Sequence, residues 1–495
     1  MRSTATVVWT AAIATALLGA SFLFSADGGI NWPMWVAAAS LSVILARYTS
    51  AGRVESPLLV LLGWATLLSL GFAFSAKDLR FFIVLSDAML LGLAVITIGA
   101  PSWSELSAKL LAAVPILAPV RVIGAAGYEV SNAPRSTSSP RARAIIKGTL
   151  LSAPLVIILF ALLGSADPII RWSTDRVVGW LPDWSFPPRI LFFLFLLVLT
   201  LGANSIASRQ LAPNLPEIPS LKLPSIIGVT EQRMVLWSAA AVLWLFVLLQ
   251  ASYLVHSPPS AVGSGVTFAD FARRGFGELS FAATLIGAII LILESTRPAS
   301  ATERDRASLR HLELALIVAL ELVLVSAFRR VILYEQAYGF TTARVFAQAY
   351  MIVMALSLVA LAMEISGERI SIAFGRRVAE IALGVFTILV FWNFEAWIVN
   401  ENIDRARTTG KFDAVYASRL SSDALPTLVA RRAEIPLPVR DTLDMRFACK
   451  KDPEVRRWFE WNRSVNAAAE ALKSWQRPPC ITKTPRPGDS APTPR

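Results

Sequence analysis

Residues 190–200 (ILFFLFLLVLT) and 236–249 (LWSAAAVLWLFVLL) decide the fold of this 495-residue chain. Both stretches are apolar around the whole circumference of a helix, which is typical of helices surrounded by lipid or by a bundle interior. A hydrocarbon layer about 30 Å thick needs roughly 20 helical residues. Because backbone groups in lipid must pair within the protein, the sequence predicts an all-α, polytopic transmembrane helix bundle.

Eleven segments are long and apolar enough to be read as spans. They are residues 7–24, 30–46, 57–75, 81–100, 145–163, 188–207, 234–254, 278–294, 310–328, 345–365 and 378–398. The first of them follows Arg2 as a secretory signal would, but no small-residue cleavage site follows Phe24. The sequence therefore predicts about eleven spans, beginning with an uncleaved helix.

The composition agrees with a membrane protein. Hydrophobic residues make up 55% of the chain and charged residues 17%, and the 15 Trp fit aromatic belts at the two headgroup layers. The net charge of +12 comes from Lys and Arg placed between the spans and in the C-terminal tail. This placement favours the lipid bilayer, and anionic lipid in particular, as the partner and argues against nucleic acid.

The distribution of Lys and Arg predicts the orientation. With the N-terminus in the cytoplasm, nineteen basic residues lie on the cytoplasmic side, at positions 2, 47, 53, 109, 121, 135, 141, 143, 147, 209, 222, 233, 297, 304, 306, 310, 369, 376 and 377. Ten lie in the loops on the other side, at positions 77, 80, 171, 176, 189, 273, 274, 329, 330 and 344. The 18 Lys and Arg of the long C-terminal tail are left out of this count, because long segments are translocated regardless of their charge. The positive-inside rule then predicts a multi-pass protein of the cytoplasmic (inner) membrane of a bacterium, with its C-terminus outside.

The bundle is expected to end at residue 398. Two cytoplasmic connections interrupt it. Residues 101–144 are predicted to form an interfacial helix and a basic linker, because the apolar stretch 110–120 is too short to span and contains Pro115 and Pro119. Residues 208–233 are predicted to form a proline-rich strap.

The remaining chain is expected to lie outside the membrane. Apolar residues recur at helical spacing in 412–420, 424–430 and 455–472, which predicts a small all-α domain over 399–476. Residues 477–495 are expected to be disordered. Cys449 and Cys480 are the two cysteines of the chain, and their predicted extracytoplasmic position favours a disulfide between them, with two free thiols as the alternative.

One segment stands out as a recognisable motif, residues 250–279 (QASYLVHSPPSAVGSGVTFADFARRGFGEL). It resembles the strongest signature of an uncharacterised bacterial membrane family, domain of unknown function 4173, although Val255 and His256 depart from that signature. The similarity extends to 165–169 (SADPI), 329–344 (RRVILYEQAYGFTTAR), 413–428 and 458–472 (WFEWNRSVNAAAEAL). The resemblance covers roughly residues 57–475 and implies a membrane fold, but no reaction.

On the predicted topology the recognisable segments share the outer face. They carry a candidate polar cluster made of Asp167, Asp270, Arg273, Arg274, Glu278, Arg329, Arg330, Tyr334, Glu335, Tyr338 and Arg344. Arginines at helix ends suit phosphate or carboxylate ligands, whereas i,i+3 and i,i+4 spacing suits local ion pairs. We expect these segments to touch one another, with an unmatched Arg if the cluster binds a ligand.

Two acids inside spans are further candidates. Glu321 lies near the middle of its predicted span and Asp87 in the outer third of its own. An intramembrane carboxyl must face the bundle, be paired or be protonated. Each could relay protons, hold a substrate or be a buried hydrogen-bonding group.

Enzyme signatures are largely absent. No P-loop, G-x-G-x-x-G, G-x-S-x-G or H-E-x-x-H occurs, and the chain has only His256 and His311, so no metal site or cofactor is predicted. We expect an outer face and tail that bind a partner protein, an anionic lipid or a glycan in envelope structure or signalling. A membrane enzyme acting on a lipid-linked phosphorylated substrate is the alternative, and a transporter ranks third.

Overall fold

The structure is a computed structural model that describes residues 2–99, 108–132, 148, 186–209, 227–255, 268–298, 300–367 and 374–480. The side chains of residues 250–276 and 278 are not described. Throughout these ranges the regular structure is helical, and none of the described residues forms a strand. The predicted all-α class is therefore confirmed for the part of the chain that the structure describes.

Seventeen α-helices are defined within these ranges. They are α1 (Arg2–Phe22), α2 (Asn31–Ala51), α3 (Ser56–Ser69), α4 (Gly71–Phe74), α5 (Arg80–Ile96), α6 (Ala108–Ser131), α7 (Phe186–Ser208), α8 (Val229–Val255), α9 (Phe268–Ser295), α10 (Glu303–Tyr338), α11 (Thr342–Ser366), α12 (Phe374–Phe391), α13 (Phe394–Thr409), α14 (Ala414–Ala417), α15 (Leu425–Ala430), α16 (Leu437–Ala448) and α17 (Arg463–Lys473).

Seven of the described helices are long and apolar enough to cross a membrane. They are Thr4–Phe22, Asn31–Ala51, Ser56–Phe74, Leu110–Ser131, Pro188–Ser208, Val229–Leu249 and Thr342–Ser366. The pair α12 and α13, bent by 65° at its break, makes an eighth if it is one span. The chain is thus a helical membrane bundle.

The chain divides into two compact units. The N-terminal unit comprises Met1–Ile218 together with Val455–Arg463, and the C-terminal unit comprises Pro219–Glu454 together with Ser464–Arg495. Sequence analysis assigned 455–463 to a helix of the tail domain, but these residues belong to the N-terminal unit. Residues 455–462 are not helical apart from one short 3-10 turn, Trp458–Glu460, and Arg463 begins α17.

Helix directions in the N-terminal unit follow from contacts between the helices. The Thr200 hydroxyl lies 3.1 Å from the Ala12 carbonyl oxygen, and the Asn204 amide donates to the Val8 carbonyl at 3.5 Å, so α1 and α7 are antiparallel. At the same end of α7, Ser205 donates to Glu129, which lies near the C-terminal end of α6, at 2.9 Å. Since Val122 lies beside Gly202, α6 and α7 run in the same direction.

Helix α6 corrects the prediction for residues 110–120. The structure has one continuous helix of 24 residues that contains both Pro115 and Pro119. A proline inside a helix removes one N–H donor, and spanning helices tolerate this loss because neighbouring groups compensate for it. The expectation that the prolines interrupt a short helix is therefore wrong, and α6 passes the length and composition test for a span.

The C-terminal unit has its own apolar core between α8, α9, α10 and α11. Three acids on the helices of this unit are paired with arginines. Glu313 accepts from Arg297 at 3.0 Å, Glu364 pairs with Arg377, and Glu380 lies 3.2 Å from Arg376. These pairs neutralise charges close to the apolar layer.

A second core in the same unit lies among the helices of the tail. Its buried side chains come from α13 to α17, and include Ile403, Leu428, Leu443, Phe447 and Leu472. The helical tail thus has an apolar centre of its own, separate from the core between α8 and α11.

A disulfide joins Cys449 and Cys480, whose Cα atoms are 4.8 Å apart. Arg477 donates to the Phe447 and Lys450 carbonyls, both at 3.3 Å, and pairs with Asp452. The segment expected to be disordered from Arg477 is therefore held through residue 480, while residues 481–495 lie outside the described part.

Reduction of this disulfide is expected to lower the stability of the tail by about 3 kcal/mol, because it closes a loop with a sequence separation of 31. Thermal unfolding of the detergent-purified protein with and without reductant measures the change. The double variant Cys449→Ser/Cys480→Ser should unfold at the same temperature in both buffers. Equal unfolding temperatures for the parent, with reduction proven by thiol titration, would contradict this prediction.

Candidate functional site

The N-terminal unit contains an apolar cavity of about 520 Å³. Its walls come from α2, α3, α5, α6 and α7, and also include Leu23 just after α1. Val84 and Leu85 line the cavity and keep 37% and 50% of their surface accessible, so this wall is open rather than packed. Cavities of this size and polarity are typical of sites for small apolar ligands.

Asp87 is the single acidic residue among the side chains that line the cavity. It is 0% exposed, and its Oδ2 accepts a hydrogen bond of 2.8 Å from Trp32 Nε1. Its other oxygen, Oδ1, is buried and has no hydrogen-bond partner. Burying such an atom unpaired is costly, so a polar group placed beside it would be stabilised.

The other hydroxyls of the lining are already satisfied. Ser42 donates to the Ala39 carbonyl at 2.8 Å and lies 3.1 Å from Asn204 Oδ1. Thr200 donates to the Leu196 carbonyl at 2.8 Å. Two buried polar atoms of the lining therefore lack a hydrogen-bond partner, Asp87 Oδ1 and the indole Nε1 of Trp35.

Residues 457–462 dock against the loops at one end of this unit, and we call them the docking segment. Trp458 and Phe459 pack on Phe22, with ring centroids 5.5 and 5.0 Å away. The Ile30 amide donates to the Trp461 carbonyl at 3.0 Å. The segment thus sits on the face at which α1 ends and α2 begins, opposite the N-terminus of α1.

Two polar side chains fix the docking segment. Asn462 donates to the carbonyls of Phe72 at 2.7 Å and Ser75 at 2.8 Å. Glu460 accepts from the Asp27 amide at 3.0 Å and from Arg457 Nε at 2.8 Å. Both anchors are buried, so each bond replaces water with a partner inside the protein.

Glu460 makes docking depend on pH. Burial alone would raise the pKa of this carboxyl, but hydrogen bonds from Arg457 and Asp27 and the Arg457 charge lower the pKa below its usual 4.5. A depressed pKa stabilises the docked form above the usual value, and this contribution is lost as pH falls through the lowered one. We expect faster hydrogen exchange of residues 455–463 below about pH 4.5 after correction for intrinsic rates, and no such pH step in Glu460→Gln.

A second polar site lies in the C-terminal unit, at the turn between α10 and α11. Asn402 brackets the backbone of Phe340, accepting from its amide at 2.8 Å and donating to its carbonyl at 2.9 Å. Arg405 donates to the Gln336 carbonyl at 2.8 Å and also to that of Ala337, which caps the end of α10. Gly339 has φ +90°, and a Cβ there would lie 2.6 Å from Asn402 Oδ1.

Aromatic and charged side chains of the same turn stack on one another. The Arg344 guanidinium lies 4.2 Å from the Tyr334 ring, which packs on Tyr338 at 4.9 Å. Glu335 accepts from Gln348 at 2.8 Å. Arg344 Nη1 and Glu335 Oε1 are buried without a hydrogen-bond partner. The contacts of Asn402 and Arg405 make the turn a structural lock between α10, α11 and the tail helices, whereas the unpaired Nη1 of Arg344 is the feature expected of a ligand-binding cluster.

Asn402→Ala is expected to destabilise the C-terminal unit by about 2 kcal/mol, because the substitution leaves both backbone groups of Phe340 without their partner. Thermal unfolding of the purified protein measures this change. Thr408→Ala, at an exposed position of the same helix, should shift the midpoint by less than a quarter as much. Equal effects of the two substitutions would refute the lock.

The structure brings together only some of the residues proposed as an outer cluster. Arg329, Arg330, Tyr334, Glu335, Tyr338 and Arg344 surround the end of α10 and the start of α11, where residues 336–342 contact the tail helices. Asp167 lies outside the described residues. Asp270, Arg273, Arg274 and Glu278 belong to α9, but their side chains are not described.

Glu321 lies on α10, in an open groove of about 570 Å³ next to α11. It is the only charged residue among the described side chains that line this groove. Its Oε1 is buried and has no hydrogen-bond partner. The groove belongs to the C-terminal unit, whereas Asp87 belongs to the N-terminal unit. The two intramembrane acids named in the sequence analysis therefore belong to separate sites.

Sequence analysis missed the partners that define the cavity site. Trp32 was counted only as a belt residue, and the docking segment was read as part of an amphipathic helix. The pattern WFEWN at 458–462 carried a usable signal, since two tryptophans beside a carboxylate and an amide are unusual on a solvated helix face.

The fold and cavity define a helical membrane protein with an internal apolar chamber. Residues 62–430 match the family described as a domain of unknown function (DUF4153), so this chain belongs to that family. The match supports membership of an uncharacterised family, but not the family number suggested by the motif resemblance. No curated protein and no solved structure matches the chain.

Proposed function

We propose that the N-terminal unit binds a lipid-like amphiphile, with the hydrocarbon chain in the apolar cavity and the polar head at Asp87. The observation that carries this proposal is the unpartnered Oδ1 of a fully buried aspartate on the wall of a 520 Å³ apolar cavity. A hydroxyl or amine on the ligand would complete the hydrogen bonding of this carboxyl. An apolar lining of this kind favours a hydrocarbon chain over a sugar or a nucleotide.

Lateral entry from the bilayer supports the same ligand class. Val84 and Leu85 lie on the open wall of the cavity, and both are side chains that a bilayer would surround. An amphiphile already dissolved in lipid could move into the cavity without crossing water, so little desolvation opposes binding.

The other functions find less support in the described residues. A membrane enzyme using paired carboxylates would need a second acid near Asp87, and none of the described side chains lining the cavity provides one. Binding of an anionic lipid, a glycan or a partner protein at the α10–α11 turn rests on Arg344, whose guanidinium already stacks on Tyr334. A transport path through Glu321 rests on an open groove.

We also propose eleven crossings in the cytoplasmic membrane, with the N-terminus inside and the tail outside. Arg80, at the start of α5, lies over Phe72 on the docking face, whereas Glu129, near the end of α6, pairs with Arg209 at the opposite face, so α5 and α6 run in the same direction. Consecutive spans must run in opposite directions, so α5 and α6 cannot be two successive crossings. We therefore assign the crossing to α6 in place of residues 81–100, and the number of spans stays odd.

The charge bias supports this assignment. Lys109 moves to the outer side and Arg121 moves into a span, so the cytoplasmic count becomes 19 − 2 = 17 and the outer count 10 + 1 = 11. The excess of basic residues inside remains. The docking segment on the face opposite the N-terminus also requires an odd number of crossings before it.

Native mass spectrometry of the protein released from mild detergent tests the proposed function. We expect a bound species of lipid mass on the parent protein, and its loss from Ala88→Trp, which fills the cavity. Ala5→Trp, at an exposed position of α1, is the matched control and should retain the ligand. Equal lipid occupancy in all three proteins would refute the cavity as the site.

A further inference from the structure

The docking segment contacts two parts of the N-terminal unit that lie next to the cavity lining. Phe22, which packs on Trp458 and Phe459, directly precedes the lining residue Leu23. On the other side, Asn462 binds the carbonyl of Phe72. The tail segment therefore touches the end of α1 and the end of α4 at the same time.

A short chain of contacts connects the docking segment to Asp87. Asn462 fixes the Phe72 carbonyl, and the Phe72 ring packs on Trp32 with centroids 5.5 Å apart. Trp32 in turn donates to Asp87 Oδ2 at 2.8 Å. Releasing Asn462 would free α4, whose Phe72 ring packs on Trp32. The hydrogen bond from Trp32 to Asp87 would then be held less firmly.

We propose that residues 457–462 are a cap on the cavity, which separates the Asp87 end from water while the open wall beside Val84 and Leu85 faces lipid. This inference rests on the proposed function, since it assigns the control of access to that same site. With the cap docked, the ligand exchanges with the bilayer only. With the cap released, the polar end of the cavity is open to the aqueous phase.

A substitution at Gly29 can displace the cap, because Gly29 lies against the backbone of Glu460. A Cβ at this position would lie 2.3 Å from the carbonyl carbon and 2.4 Å from the carbonyl oxygen of Glu460. Backbone atoms cannot rotate away as the end of a side chain can, so Gly29→Ala must displace the docking segment. Asn462→Ala removes the other anchor by a different route, and it tests the cap even if Gly29→Ala fails to fold.

Thiol labelling in lipid nanodiscs tests the cap. Ala39→Cys places a reporter on the cavity wall, where Ala39 is 8% exposed, and the native cysteines are protected as a disulfide. A sulfonated, membrane-impermeant maleimide is the probe. We expect it to label the reporter at least tenfold faster in the Gly29→Ala and Asn462→Ala backgrounds. Met445→Ala, an exposed change elsewhere in the tail, should leave the rate unchanged.

Equal labelling rates in the parent and in both cap variants overturn the proposal, provided that gel filtration shows folded protein. The outcome is separable from that of the proposed function. If the parent holds no amphiphile but the cap variants label faster, the cap stands and the function fails. If the parent holds an amphiphile and the rates are equal, the function stands and the cap fails.

Discussion

Replacing Gly202 by alanine is expected to destabilise the N-terminal unit by about 3 kcal/mol. A Cβ at this position would lie 2.1 Å from the carbonyl oxygen of Val122, so α6 and α7 must move apart along their contact. A clash with backbone atoms can be relieved only by such a movement. Substitutions that overpack an interior in this way are among the most destabilising. The midpoint of thermal unfolding in detergent should fall by several degrees.

Gly63→Ala is the matched control for this substitution. Gly63 also lies inside an apolar helix of the same unit, but a Cβ there meets no atom within 4 Å. Removing a glycine from a helix interior stabilises it by about 0.5–1 kcal/mol, so the midpoint should stay or rise. A loss of stability equal to that of Gly202→Ala would show that the α6–α7 contact is not as close as described.

Asp87→Leu is expected to weaken amphiphile binding by roughly 10- to 100-fold, the effect of losing one hydrogen bond to a charged or strongly polar group. Asp87→Asn should lose much less, because its amide keeps an acceptor for Trp32 and offers a donor to the ligand. Titration of a fluorescent long-chain amine or alcohol into nanodiscs measures both. Asp78→Leu, at an exposed loop position near the docking face, is the control.

If Asp78→Leu weakens binding as much as Asp87→Leu does, the effect comes from the negative charge of the docking face and not from the cavity. Equal binding by the Asp87→Leu variant and the parent would remove Asp87 from the site.

The helical membrane class followed from residues 190–200 and 236–249, because apolar runs of that length have few other stable environments. Helix α6 was missed since a rule drawn from helices in water, that proline interrupts a helix, was applied to a segment within a bundle. Contacts with α5 and α7 stabilise α6 as a continuous helix. Because these contacts join residues far apart in sequence, local sequence rules do not reveal them.

The candidate site was predictable in part. Asp87 was found because a carboxyl inside an apolar helix always needs an explanation. Its environment was not predictable, since Trp32 lies 55 positions before it and Asn462, which positions the loop of Phe72, lies 390 positions beyond that loop. The helical periodicity of 455–472 was real for α17, but residues 457–462 satisfy their backbone and side chains on the N-terminal unit instead.

Photo-crosslinking with a long-chain alcohol that carries a diazirine on its hydrocarbon chain tests the central claim most directly. After irradiation in nanodiscs and mapping of the peptides, we predict competed crosslinks on α5, α6 and α7, at residues such as Met89, Val114 and Leu199 that line the cavity. Excess unlabelled alcohol should remove these crosslinks, and Ala88→Trp should abolish them. Crosslinks confined to outward-facing residues such as Val242 and Leu248, and insensitive to competitor, would contradict the account.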